Sequence, residues 1–217
     1  MKTTWIGAAF LLVAGAAYGA QPDAATIAAQ GNGKGAAACS SCHGKDGGGQ
    51  PAAGFPRLAG LDAAYLERQL DSFANGTRDI PAMATIAEAL APAERHELAE
   101  YYARMPIPSA AAKGAAKPSS GKLGEALATR GMWSKQVPGC VKCHGPHGVG
   151  VGPNFPPLAG QPAKYIADQL RDWQQGKRKN DPLGLMQHVS SALSEPDINA
   201  VAAWFAAQPA ALKGVKP

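Results

Sequence analysis

The sequence predicts an all-α protein built as two similar lobes in tandem. Three observations carry that expectation. Residues 55–78 (FPRLAGLDAAYLERQLDSFANGTR) recur as residues 155–178 (FPPLAGQPAKYIADQLRDWQQGKR), with 11 of 24 positions identical and no gap. A short Cys-x-x-Cys-His cluster precedes each copy, at 39–43 and 140–144. Apolar side chains recur at helical spacing, and no stretch alternates as a strand would. Charged residues make up 17% of the chain, which also carries 26 Gly and 18 Pro, a balance that suits small, loop-rich helical domains.

Taken in order, residues 1–19 read as a secretory signal peptide. Met1 and Lys2 give a positive start, Trp5 to Ala17 is uncharged and mostly apolar, and Ala17 and Gly19 suit the −3 and −1 positions of a cleavage site. A membrane anchor would need about 20 apolar residues, and Thr3 to Ala20 is interrupted by Thr, Tyr and Gly. Export to a periplasm follows. Residues 20–107 form the first lobe. There Asp62 is placed to cap a helix running through Asn75, with Tyr65, Leu66, Gln69, Leu70 and Phe73 along one side. A later helix begins at Ala91-Pro92 with Glu94 close behind. Lacking a capping side chain, that start is weaker by about 1 kcal/mol. Residues 108–122 (PSAAAKGAAKPSSGK) offer almost nothing to bury and read as a linker. Residues 123–217 form the second lobe. Its counterpart helix runs from about Pro162 to Gln175, and its last helix is announced by Ser194 and Asp197 in a capping-box arrangement.

The chemistry lies in the cysteines, and the chain has four, all within the two clusters. Cys-x-x-Cys-His is the attachment signal for covalent haem. Two thiols separated by two residues on a turn can add to the two vinyl groups, and the next residue, His, then lies beneath the iron. Cys39, Cys42 and His43 form one set; Cys140, Cys143 and His144 form the other. A four-thiolate zinc site or a redox dithiol would leave both histidines without a purpose and would not place one pair in each repeat. A low-spin haem electron carrier also takes a distal ligand, usually Met. Of Met83, Met105, Met132 and Met186, only Met83 and Met186 occupy matching places, 40 and 42 positions beyond His43 and His144. His96, His147 and His188 have no counterparts and read as surface or supporting residues, although His188 stands two positions from Met186.

Two CxxCH lobes, each with FPxLAG, a helix bearing Tyr and Gln-Leu, a Gly-x-Arg turn and a downstream Met, resemble the cytochrome c4 family of dihaem cytochromes. The resemblance spans nearly the whole chain after the leader. It implies two class I cytochrome c folds related by a pseudo-twofold axis, with two covalently bound haem c groups facing one another across the lobe interface. It implies that the carbonyls of Pro56 and Pro156 orient the proximal histidines. It makes Arg78 and Arg178 candidates for holding haem propionates. It also implies redox protein partners: a membrane-bound quinol-oxidising complex or a dehydrogenase as donor, and a terminal oxidase or reductase as acceptor. Peripheral association with a membrane is compatible with this, and no feature suggests nucleic acid. One departure stands out. The first lobe lacks the Asn180-Asp181-Pro182 insertion, so the two haem surroundings are not expected to be equal.

The expected function is electron transfer rather than catalysis, since His and Met together close both axial positions. A dihaem peroxidase would need one haem able to open. A dedicated cytochrome subunit of a dehydrogenase, such as one oxidising a sulfur compound or an alcohol, has the same haem chemistry and remains the principal alternative. Charge adds an asymmetry to the overall +5. Residues 20–112 carry 7 Lys or Arg against 10 Asp or Glu, while residues 113–217 carry 13 against 6, with Lys113, Lys117 and Lys122 in the linker. Opposed lobes of this kind orient diffusional encounters, and Lys177, Arg178 and Lys179 form the densest basic cluster.

Overall fold

A computed structural model describes residues 23–109, 111 and 121–210. The expected leader at 1–19 and most of the expected linker, with Lys113 and Lys117, lie outside the described residues. No helix among the described residues is long and apolar enough to cross a membrane.

The first half contributes α1 (Ala24–Gln30), the single turn α2 (Ser40–His43), α3 (Ala63–Ala74), α4 (Pro81–Glu88) and α5 (Pro92–Arg104). The second half repeats the order as α6 (Gly121–Thr129), the single turn α7 (Val141–His144), α8 (Ala163–Gln174), α9 (Leu185–Ser191) and α10 (Glu195–Ala206). Helix α6 begins inside the stretch read as linker. The packing repeats too: α5 lies on α1 and α3 while α4 lies on α3, and α10 lies on α6 and α8 while α9 lies on α8. Each half closes over its own apolar cluster. One gathers Ile27, Leu66, Leu90, Leu98 and Tyr102; the other gathers Leu127, Ile166, Leu170, Ile198 and Phe205.

The start signals act as read, with two differences. Asp62 accepts from Tyr65 N at 2.9 Å, and Ser194 and Asp197 close a capping box at the start of α10. At α5 the cap residue Ala91 offers no oxygen, but the buried Glu94 carboxylate accepts from Ala91 N at 2.8 Å and from Asn32 Nδ2 at 3.2 Å. Half of a capping box is therefore present, which offsets part of the expected weakness. The second difference is a small hairpin. Strands β1 (Gly131–Met132) and β2 (Val137–Pro138) pair antiparallel around a turn in which Gln136 is left-handed, just before the second cysteine cluster. Two residues per strand are too few to show alternation.

The halves meet through an exchange of backbone and side chain. Asp79 N donates to Lys177 O and Lys179 N to Thr77 O, both at 2.7 Å, so that Arg78 and Arg178 form an antiparallel bridge. On another part of the interface the Gln161 side chain pairs with both backbone groups of Arg57, accepting at 3.0 Å and donating at 2.9 Å.

Candidate functional site

Each cysteine cluster folds as one helical turn. Cys39 and Cys140 stand at the N-terminal ends of α2 and α7, and His43 N and His144 N donate back to their carbonyls at 2.9 Å. Residues three apart on such a turn share a face, so the two thiols of each pair address the same side. Glycine then reverses the chain. Gly49 N donates to His43 O at 2.8 Å and Gly150 N to His144 O at 2.7 Å. Both glycines are left-handed (φ +81° and +91°), and a Cβ on Gly49 would stand 2.5 Å from Phe55 O. That close approach presses the loop against Phe55-Pro56.

The result is one contact made twice. His43 Nδ1 lies 3.0 Å from Pro56 O, and His144 Nδ1 lies 2.8 Å from Pro156 O. A carbonyl can only accept, so Nδ1 carries the proton and Nε2 keeps its lone pair for a metal. Both imidazoles are buried, and burial holds their pKa below the ordinary value, against the opposing pull of the proline carbonyls. Burial pushes the Cys39 thiol up and the Cys140 thiol up to about 11. None of the four cysteines is in a disulfide. Among the described residues no group of three or more His, Cys, Asp or Glu gathers as a zinc site would require.

Cys140, Cys143, His144 and Met186 line a single cavity of about 540 Å³, whose walls include Leu158, Ile166, Leu170, Val201 and Phe205. The inserted loop fixes the methionine. Asp181 accepts from Met186 N and from Gln187 N, locking the first turn of α9, and Gly184 takes the left-handed conformation at its start. Met83 is half-buried on α4, whose place against α3 matches that of α9 against α8. Met105 and Met132 pack against the apolar clusters of their own halves. His96 is an exposed partner of Glu67 at 2.9 Å, and its pKa is raised by that contact. His147 and His188 are exposed.

The cavity reaches the other half of the molecule, with Leu61, Tyr65 and Gln69 in its wall. There the two arginines of the Gly-x-Arg turns cross. Arg78 donates to Gln69 Oε1 at 3.2 Å, to Tyr165 OH at 3.1 Å and to Gln169 Oε1. Arg178 donates to Gln169 Oε1, Gln69 Oε1 and Asn180 Oδ1, each at 3.0 Å. Each guanidinium also stacks within its own half, Arg78 on Phe73 at 4.4 Å and Arg178 on Trp173 at 4.0 Å. Both are buried, and no carboxylate among the described residues lies within ion-pair distance of either. Burial, with Arg78 alongside, pulls the pKa of Arg178 down. The cross-lobe partnership of these arginines was not legible in the repeat, although Gln69 and Gln169 were visible there as matching helix positions.

Residues 27–101 and 121–205 each match the family model described as cytochrome c oxidase, cbb3-type, subunit III. Cytochrome c4 from Pseudomonas aeruginosa is 38% identical over 84% of this chain and 89% of its own length. The chain belongs to the cytochrome c4 family. A second relative, the thiosulfate dehydrogenase electron acceptor of Stutzerimonas stutzeri, is 49% identical over 92% of both chains. Among solved structures, thiosulfate dehydrogenase (TsdBA) from Marichromatium purpuratum superposes with a TM-score of 0.79 at 42% identity, over 88% of this chain and 41% of that one. The protein is thus a dihaem electron-transfer cytochrome with two class I cytochrome c lobes.

The cavity suits that cofactor. Its walls are apolar where a porphyrin needs exclusion from water, and one thiol pair and an aimed imidazole stand at its side. Haem also brings two carboxylates, and the buried donors Trp173 Nε1 and Arg78 Nε have no protein partner among the described residues. Buried donors without partners are costly, and anionic groups in this region would satisfy them.

Proposed function

We propose that each lobe holds one haem through its own repeat-matched set. Cys39 and Cys42 form the thioethers of the first, with His43 and Met83 as axial ligands. Cys140 and Cys143 form those of the second, with His144 and Met186. Pro56 and Pro156 orient the two imidazoles, and Arg78 and Arg178 stabilise the propionates at the interface. The observation that carries this is the twice-built contact of histidine Nδ1 with the carbonyl of the proline in its own FPxLAG segment. Haem, when bound, supplies a reversible one-electron iron couple. The protein's part is to exclude water, hold both imidazoles as neutral donors and place the two sites against a shared interface bridged by Arg78 and Arg178.

The donor proposed is a thiosulfate dehydrogenase, with onward transfer to a terminal oxidase or reductase in the periplasm. Support comes from the naming of the Stutzerimonas relative and of the Marichromatium structure. The opposed charge of the lobes favours distinct docking faces, the basic second lobe meeting an acidic partner. Lys177 and Lys179 suit this role, because their side chains are exposed while their backbones belong to the lobe interface. Stopped-flow reduction by thiosulfate with its dehydrogenase, followed by oxidation, tests it across ionic strength. Reversing charge at Lys177 and Lys179 should slow one half-reaction and spare the other. Equal effects on both, or none, would contradict it.

A further inference from the structure

The repeated FPxLAG segment is broken at one position, Arg57 against Pro157, and four residues later at a second, Leu61 against Gln161. These two breaks meet in space. The Gln161 amide takes both the N–H and the carbonyl of Arg57. The mirror contact cannot form, because Pro157 has no N–H and Leu61 has no amide. The Arg57 side chain, thus anchored, is fully buried between the lobes. It donates through Nη1 to Ala59 O and through Nη2 to Ala159 O at 3.4 Å, and its Nε has no partner among the described residues.

Both acceptors are neutral carbonyls, and no carboxylate among the described residues pairs with the group. Ala59 and Ala159 each stand three positions after the proline that faces a proximal histidine. The guanidinium therefore bridges the two loops whose prolines face His43 and His144, and it is not among the residues lining the cavity beside Cys140, Cys143 and His144. Burial lowers its pKa to about 10, which still leaves it charged by roughly a thousandfold at pH 7. A fixed positive charge in a poorly screened interior opposes the further positive charge that appears when an iron is oxidised.

We propose that Arg57 is a shared potential-setting residue, a single buried cation that favours the reduced state of both haems at once. The proposal rests on His43 and His144 being the proximal ligands, which the loss of a low-spin haem spectrum in His43→Ala and His144→Ala proteins reports independently of potential. One charge placed between the sites keeps their potentials raised together, although the lobes differ elsewhere. An acceptor built this way accepts electrons more readily at both sites without any difference in axial ligands.

Spectroelectrochemical titration of the purified holoprotein tests it with three variants. Arg57→Met should move the reduction equilibrium of each haem about tenfold toward the oxidised form, which is 59 mV for a one-electron couple. Arg57→Gln, also uncharged, serves if the Met variant does not load both haems. Arg57→Lys keeps the charge and should leave both potentials within about twofold of the parent. Gln161→Leu breaks the lobe contact but keeps the charge, and should likewise leave them in place. Unchanged potentials at either haem on charge removal would overturn the proposal. So would a Gln161→Leu or Arg57→Lys shift as large as that of the uncharged variant, because lobe geometry rather than charge would then be responsible.

Discussion

In the first lobe Asp71 on α3 takes Arg95 of α5 at 2.7 Å; in the second, Arg171 at the matching place on α8 takes Glu195 of α10, also at 2.7 Å. The same pair of helices is bridged with the charges exchanged. Around the histidines no such liberty exists. The His–Pro contact recurs with the same atoms, as do the donations from Leu58 and Ala59 to Gly47 O and from Leu158 and Ala159 to Gly148 O. Helix contacts accept either polarity, whereas the geometry behind each of these histidines admits one arrangement. Lobe-specific residues gather instead at the seam and the rim: Arg57 with Gln161, Asn180, and the hairpin of β1 and β2.

The largest expected effect comes from removing one attachment site. Cys140→Ser combined with Cys143→Ser should leave one haem per chain by intact mass, and lobe two should lose its cooperative melting transition while lobe one keeps its own. The same pair of changes at Cys39 and Cys42 should give the reverse pattern. Identical melting of both lobes in either variant would break the view that each closes over its own core.

The interface sharpens the comparison next. Gln69 Oε1 accepts from Arg78, Arg178 and Asn180, whereas among the described residues Gln169 Oε1 accepts only from the two arginines. Stranding a buried donor costs about 1–3 kcal/mol. Gln69→Leu should therefore destabilise the holoprotein by about 1 kcal/mol more than Gln169→Leu in denaturant titrations. The extra donor belongs to the loop present only in lobe two, which also donates to Ser72 Oγ at 3.1 Å.

Helix starts give a smaller difference. Ser194→Ala should cost about 1 kcal/mol in thermal melts. Ala91→Ser should gain less than that, because Glu94 already accepts from Ala91 N.

Much of this was legible in the sequence because repetition turned single residues into matched pairs. The matched places of Met83 and Met186 and the α3 and α8 helices came from reading one copy against the other, the thiols and histidines from the Cys-x-x-Cys-His spacing, and Pro56 and Pro156 from the family resemblance. Breaks in the repeat were harder to use. Nothing in the sequence singles out Arg57, and only its burial beside the Gln161 amide reveals an interior cation. The hairpin escaped because its strands have two residues each, and Glu94 as a substitute cap required knowing that its carboxylate turns inward.

The smallest effect concerns the exposed bridges. Arg171 holds the Glu195 carboxyl below its ordinary pKa. A depressed folded value means the contribution is complete above about pH 4.5, the ordinary value, and disappears as pH falls through the folded one. Glu195→Gln should flatten the acid limb of the stability profile only slightly, since the pair is open to solvent.

The central claim, that each lobe holds its haem with its own His and Met, is tested most directly in the visible and near-infrared spectrum of the oxidised holoprotein. The parent should show two haems and a thioether-to-iron band at the red end with contributions from both. Met83→Ala and Met186→Ala should each remove about half of that band, leaving the other lobe's share and its potential in place. A Met83→Ala protein with the full band, or a single substitution that removes all of it, would contradict the account.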